Sequence, residues 1–229
     1  MVNVRRSAAR TAEEGIKDYI RTHRLRPGDL LPSESELCEA ISCSRSSLRE
    51  AVCSLSSLDV LEVRHGHGTF VSGLSLEPLL QSMLLRITLN PDQPLEDLRQ
   101  VIDTRETIDL GGAAELVENH HGADLSEQRE LVAQLTVAFA AGDFDGEKYI
   151  RFHQWLHSGL RNPLIRELAD TFLRVHMGSF DILRLDPPRA GEDTLRAHEE
   201  MLDALESGDL DSFRAAVSAH YVPLRQLPR

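Results

Sequence analysis

Ten histidines are spread over the 229 residues, and three of them have a spacing that could bring imidazoles together. His198 lies about nine residues before the turn signal Ser207-Gly208-Asp209, and His220 about twelve residues after it. Two antiparallel helices joined at that turn would hold both rings within about one helical turn of the same height. His153, on a third helical pattern, could complete a triad. Three imidazoles suit Zn²⁺, Ni²⁺ or Mn²⁺ with positions left open for a ligand carboxylate. Spacing alone favours ordinary buried or surface histidines. A second constellation lies near the other end of the chain, in Ser44-Arg-Ser-Ser-Leu-Arg-Glu50. Arg45 and Arg49 are four apart and so share one helix face. An arginine fork can bond guanine O6 and N7 together, worth about 1–3 kcal/mol of base discrimination, while a second arginine holds phosphate. Ser44 and Ser46 can donate to phosphate, and Ser44 is also a good helix N-cap. In His65-Gly66-His67-Gly68 the glycines allow close backbone approach to a ligand, and His65 could enter a minor groove.

The arginines need a rigid helix, and the surrounding residues supply one. Thr11-Ala-Glu-Glu14 reads as a capping box opening a helix that ends near His23, with Ile16, Tyr19 and Ile20 at helical spacing. Arg26-Pro27-Gly28-Asp29 is a turn. Ser33-Glu-Ser-Glu36 is a second capping box, followed by Leu37, Ala40 and Ile41 on one face. Leu48, Val52, Leu55 and Leu58 then form an apolar stripe with Arg45, Ser46 and Arg49 on the open face. Val60–Val63 and Thr69–Val71 read as a hairpin. Two helices and a small hairpin make a winged helix-turn-helix over residues 1–73, whose second helix is suited to the major groove.

The histidines fall in residues 74–229, where no strand pattern appears. Pro78–Leu89 reads as a helix packed between domains, and six more helical patterns follow at about 95–119, 125–141, 145–159, 163–184, 192–206 and 209–224. Asp124-Leu-Ser-Glu127 is a capping box, and Asn162-Pro163 is an N-cap with proline at N1. The fold class expected is mainly α, a winged helix-turn-helix followed by an all-α bundle of six or seven helices.

Composition agrees with two soluble domains. Hydrophobic residues make up 41% and charged residues 27%, no apolar run approaches the roughly 18 residues that span a bilayer, and MVNVRRSAAR lacks a signal-peptide core. A cytoplasmic protein that keeps off the membrane is expected. Cys38, Cys43 and Cys53 read as reduced thiols. The net charge of −12 is unevenly placed: residues 1–72 carry ten Lys+Arg and ten Asp+Glu, leaving 15 against 27 in the remainder. One region can approach phosphate; the other stays away from it.

The motifs together resemble the GntR family of bacterial transcription regulators. The resemblance rests on Arg26-Pro-Gly-Asp-Leu-Leu-Pro-Ser-Glu34, Ser44-Arg45, Leu48-Arg-Glu-Ala51 and Gly66-His-Gly-Thr-Phe-Val71. The second half is similar to the FadR-type effector domain, FCD, through Arg105 with Asp109 one turn on, Phe152-His153 with Asn162, Ala197-His198 and His220. The resemblance implies a homodimer on a palindromic double-stranded operator, acting as a repressor or activator, with affinity set by a small carboxylate effector. It implies DNA contacts from Arg45, Arg49, Ser44, Ser46, His65 and Gly66, a divalent metal on His153, His198 and His220, and effector contacts from Arg105, Asp109, Tyr149 and Asn162. Two positions depart from the family pattern. Ser35 stands where many members have arginine, and Tyr149 stands where metal-binding members have an aspartate ligand, a place that Asp103 or Asp109 could fill.

Two other functions fit parts of the sequence. A three-histidine hydrolase would activate water on its metal, but no His-Glu-x-x-His, nucleophile elbow or phosphate loop is present, and the first 72 residues would go unexplained. The other is a regulator that has lost effector binding.

Overall fold

The computed structural model describes residues 2–89, 94–143, 145–185 and 191–226. The chain divides into two compact units, Met1–Pro78 and Leu79–Arg229.

The first unit contains α1 (Val2–His23), α2 (Glu34–Ala40), α3 (Arg45–Ser57), β1 (Leu61–Arg64) and β2 (Gly68–Val71). Helix α1 begins well before Thr11, so Thr11 lies inside the helix and the expected capping box there does not form. The preceding segment is rich in alanine and arginine, good helix formers. The buried face also continues backwards, through Ile16, Ala12 and Ala9. The Ser33 box does form, with Ser33 Oγ accepting from Glu36 N and the Glu36 carboxylate accepting from Ser33 N. Leu37, Leu48, Ala51 and Leu55 meet Ile16, Leu31 and Leu61 in one core. Two expected core residues stay out of it: Ala40 is exposed, and Leu58 is 53% exposed because α3 has ended one residue earlier. Leu61 to Arg64 pair antiparallel with Val71 to Gly68. Leu31 N donates to Thr69 O and Val71 N to Asp29 O, so the Pro27-Gly28 turn leads into a third extended segment beside the hairpin.

The second unit is all helical among its described residues: α4 (Glu77–Leu89), α5 (Pro94–His120), α6 (Ser126–Ala140), α7 (Gly146–Ser158), α8 (Pro163–Leu183), α9 (Gly191–Ser207) and α10 (Leu210–Leu224). The expected helices agree with these to within two residues at each end. Helix α4 belongs with the bundle, seating Leu80 and Ile87 against Val101 and Val175. The main core joins Leu98, Ile102 and Leu116 of α5 to Phe152 and Leu156 of α7, Met201 and Leu205 of α9, and Phe213 and Val217 of α10. Asn162 Oδ1 accepts from Leu164 N at the start of α8, with Pro163 at N1 as expected. Asp124 is not the N-cap of α6. Leu125 occupies that position, and Asp124 Oδ1 instead accepts from Ser126 N at 3.0 Å, an Asx turn just outside the helix. Gly208 has φ +72°, and Asp209 caps α10 directly after it. This sharp reversal holds α9 and α10 antiparallel.

Candidate functional site

The turn at Gly208 sets the height of two histidines, and α7 brings the third. His153, His198 and His220 are each 0% exposed, and one ring nitrogen from each lies within 4.8 Å of the others. His198 Nε2 and His153 Nε2 face each other at 3.3 Å, so one of them carries the proton that the other accepts. His220 Nε2 meets the Tyr149 hydroxyl at 3.1 Å. Tyr149 stacks against the cluster, its ring centroid 4.7, 5.6 and 6.1 Å from those of His153, His198 and His220.

Around this triad lies a second layer. Arg105, 2% exposed, donates from Nη1 to His176 Nδ1 at 2.5 Å, and its Nη2 has no hydrogen-bond partner among the protein's groups. Its guanidinium carbon is 6.0 Å from the Tyr149 ring centre and 5.4 Å from that of Tyr221. Asp109 Oδ1 lies 2.7 Å from His157 Nε2, and Asp109 Oδ2 accepts from the Tyr221 hydroxyl at 2.6 Å.

The electrostatics follow from burial. Desolvation, with the positive field of Arg105, holds His153, His176 and His220 well below the ordinary imidazole pKa and takes His198 down to about 3. All four are therefore neutral at physiological pH. Burial pushes Asp109 up, but His157, Arg105 and Tyr221 pull it further down, so it is a carboxylate. Burial likewise opposes the charge on Arg105, and Tyr221, Tyr149 and Asp109 more than restore it. Burial raises the Tyr149 phenol, which stays protonated.

This donor set fits a divalent ion. Metal binding needs neutral imidazoles, and one ring nitrogen from each of His153, His198 and His220 comes within 4.8 Å of the others, with the Nε2 atoms of His153 and His198 face to face. Asp109, His153 and His157 form a second group of the same compactness. It is the poorer candidate, because Asp109 and His157 already bond each other and Tyr221 occupies the other carboxylate oxygen.

Not every residue implied by the resemblance is brought here. Asn162 is exposed and serves as the α8 cap. Asp103 is also exposed, bonded to Arg225 Nε at 2.7 Å, so it cannot replace the missing aspartate. Asp109 is near, but committed to His157 and Tyr221. His176, an extra histidine candidate to which the sequence assigns no firm role, lies opposite Arg105, and Tyr221, directly after His220, is a partner that the sequence did not single out. The one signal for Tyr221 was its adjacency to His220.

In the first unit Arg45 and Arg49 are exposed on α3. Arg45 Nη2 donates to Ser35 Oγ at 3.1 Å. Arg49 donates to Glu34 from Nε at 3.1 Å and from Nη2 at 2.9 Å. Ser44 Oγ accepts from Ser47 N and also meets the Ser46 hydroxyl at 3.0 Å. His65 and Gly66 are exposed at the tip of the hairpin, and Gly66 has φ +76°, a conformation other residues adopt only with strain.

A helix-turn-helix with a small wing, joined to a helical bundle with a buried histidine cluster, defines a two-domain regulator. The family model described as "Bacterial regulatory proteins, gntR family" matches residues 8–71, and that of the FCD domain matches residues 100–222. The chain belongs to the GntR family of DNA-binding transcription regulators, in its FCD branch. Both domains are those of regulators, not of enzymes. It is similar to the HTH-type transcriptional regulator LutR of Bacillus subtilis (24% identity, 88% of this chain and 92% of the relative). It is also similar to the galactonate operon transcriptional repressor of Escherichia coli (23% identity, 83% of each). The solved Streptococcus agalactiae GntR structure matches with a TM-score of 0.62 at 26% identity, covering 96% of this chain and 99% of that one. Among the described residues no helix is long and apolar enough to cross a membrane.

Proposed function

We propose that this chain is a homodimeric repressor that reads a palindromic operator and releases it in response to a small carboxylate metabolite. Residues 1–73 serve as the operator reader and 74–229 as the effector and dimerisation domain. The observation that carries this reading is the buried cluster itself: three neutral imidazoles beside a guanidinium with one unpartnered nitrogen. His153, His198 and His220 would hold Zn²⁺, Ni²⁺ or Mn²⁺, which when bound supplies a Lewis-acidic centre for an oxygen ligand. Arg105 presents its free Nη2 to the effector carboxylate, a charge-assisted bond of the stronger kind. Asp109 fixes His157 and Tyr221 beside the cluster and offsets the charge of Arg105. The operon named for one relative concerns galactonate, a 2-hydroxycarboxylate, which supports an acid of that class as effector.

On the DNA side Arg45 and Arg49 act as base or phosphate contacts, Ser44 and Ser46 as phosphate donors, and His65 and Gly66 as the wing contact. The reader carries no net charge over its first 72 residues, so non-specific attraction is modest and two copies on a palindrome supply the affinity. Metal analysis of the purified protein, with calorimetry against 2-hydroxycarboxylates, tests the effector half. The expected result is about one equivalent of metal per chain, lost in His198→Ala, with carboxylate binding that weakens operator affinity. A protein that holds neither metal nor carboxylate refutes it.

A further inference from the structure

The metal triad has no anionic ligand of its own. Its donors are three imidazoles, and the Tyr149 hydroxyl lies 3.1 Å from His220 Nε2. Among the described residues no carboxylate is hydrogen-bonded to any of the three rings. The one buried carboxylate nearby, Asp109, has both oxygens engaged, by His157 and by Tyr221, and its charge already balances Arg105. A divalent ion on the triad would therefore bring two uncompensated positive charges into a fully buried site beside a guanidinium. Isolated buried charge is costly unless it is paired. Arg105 Nη2, buried and without a partner, is an independent sign of an anion that the chain does not supply. Tyr149 places the two features side by side, since its ring touches all three imidazoles and lies 6.0 Å from the guanidinium carbon.

We propose that Tyr149 leaves the triad dependent on an outside carboxylate, so that metal and effector are held together and each raises the affinity for the other. The effector is then a co-ligand: one carboxylate oxygen completes the metal's coordination and the other reaches Arg105. Metal alone binds weakly, and effector alone binds weakly. Because linkage is reciprocal, the factor by which the carboxylate tightens metal binding equals the factor by which metal tightens carboxylate binding.

This inference rests on the three-histidine reading above, and its test separates the two. The full chain, stripped of metal with a chelator, is titrated with Zn²⁺ in competition with a chromophoric chelator, alone and with acetate, L-lactate or malonate. Wild type should bind Zn²⁺ about 5- to 150-fold more tightly with at least one of the three acids, the usual range for coupled sites. Tyr149→Asp supplies the missing anion within the chain, and should bind Zn²⁺ about tenfold more tightly than wild type with no acid added and respond less to acid. Wild-type affinity that is the same in all four conditions overturns the proposal, and so does a fall in affinity in Tyr149→Asp, which would make the phenol itself a ligand. If Tyr149→Asp does not fold, the wild-type titration still decides. Zn²⁺ binding that survives His198→Ala unchanged, or that is absent from every protein in every condition, refutes the three-histidine site itself.

Discussion

Replacing Asp109 by asparagine keeps the side chain's shape and removes its charge where water cannot take over. Asp109 is 2% exposed and its partner His157 only 5%, so solvent screening offers little relief. Oδ1 lies 2.7 Å from His157 Nε2 and Oδ2 accepts from the Tyr221 hydroxyl at 2.6 Å. In the variant one of these groups must face an amide nitrogen, and Arg105 loses the carboxylate that offsets it. Removing a buried carboxylate that offsets a guanidinium, and leaving its hydrogen-bond partners unmatched, costs about 3–5 kcal/mol. Urea unfolding of the metal-free protein measures the loss. The single tryptophan, Trp155, tilts against His120 and Phe152 in the bundle, so its fluorescence reports on the affected unit. The pH dependence has a definite sign. Asp109 titrates below its unfolded value of about 3.9, so its stabilisation is fully present above that pH and is lost as pH falls through the folded value. The gap between wild type and Asp109→Asn should thus be wide at neutral pH and close below about pH 4. A loss under about 1 kcal/mol, or a gap that ignores pH, refutes the assignment of Asp109 as the charged partner in this network.

Other outcomes follow from the same geometry. Arg49→Ala should weaken binding to a cognate palindrome by about 5- to 150-fold with lost preference at one base pair if the guanidinium reads a base. If it holds phosphate, affinity should fall evenly across sequences and the salt slope should drop by about 1; no change in either removes Arg49 from the interface. Gly208→Ala forces alanine to φ +72° and sets its Cβ 2.9 Å from His121 Nδ1. A loss of about 1–2 kcal/mol in thermal or urea unfolding is expected from the backbone alone. Leu55→Ala, at a position with 0% exposure, should cost about 2–5 kcal/mol in the first unit, read by circular dichroism.

Helix boundaries were legible because their signals are local. Ser33, Ser44 and Asn162 each cap their helix with their own side-chain oxygen, a requirement set within four residues. Where a local signal misled, a longer-range one had won. Thr11 fits a capping box, yet the apolar face of α1 continues upstream of it to Ala9, and a helix already under way needs no cap. Asp124 sits one position too far out to cap α6. The convergence of His153, His198 and His220 was readable as a matter of height, because the turn at Gly208 fixes the offset of α9 against α10. What height does not give is rotation about each helix axis, and rotation decides partners. That is why Asp109, one turn along the helix from Arg105, bonds His157 and Tyr221, why His176 meets Arg105, and why Asn162 stays outside.

The energetics of the cluster indicate why it is there. Nδ1 of His153, His157, His198 and His220, Nε2 of His176 and Nη2 of Arg105 are all buried without a hydrogen-bond partner among the protein's groups. A buried polar atom left unsatisfied costs about 1–3 kcal/mol, so several in one place are a large charge against a fold whose whole stability is about 5–15 kcal/mol. Leucine or phenylalanine at these positions would pack the bundle without that cost. Folding alone therefore does not account for five imidazoles and a guanidinium in the interior. An ion on the converging imidazoles and an anion at Arg105 Nη2 would account for them, and by mass action such ligands would stabilise the bundle as they bind. The same contacts that make the site costly when it is free make occupancy strongly coupled to the state of the domain, and a signal sent to the DNA reader requires such coupling.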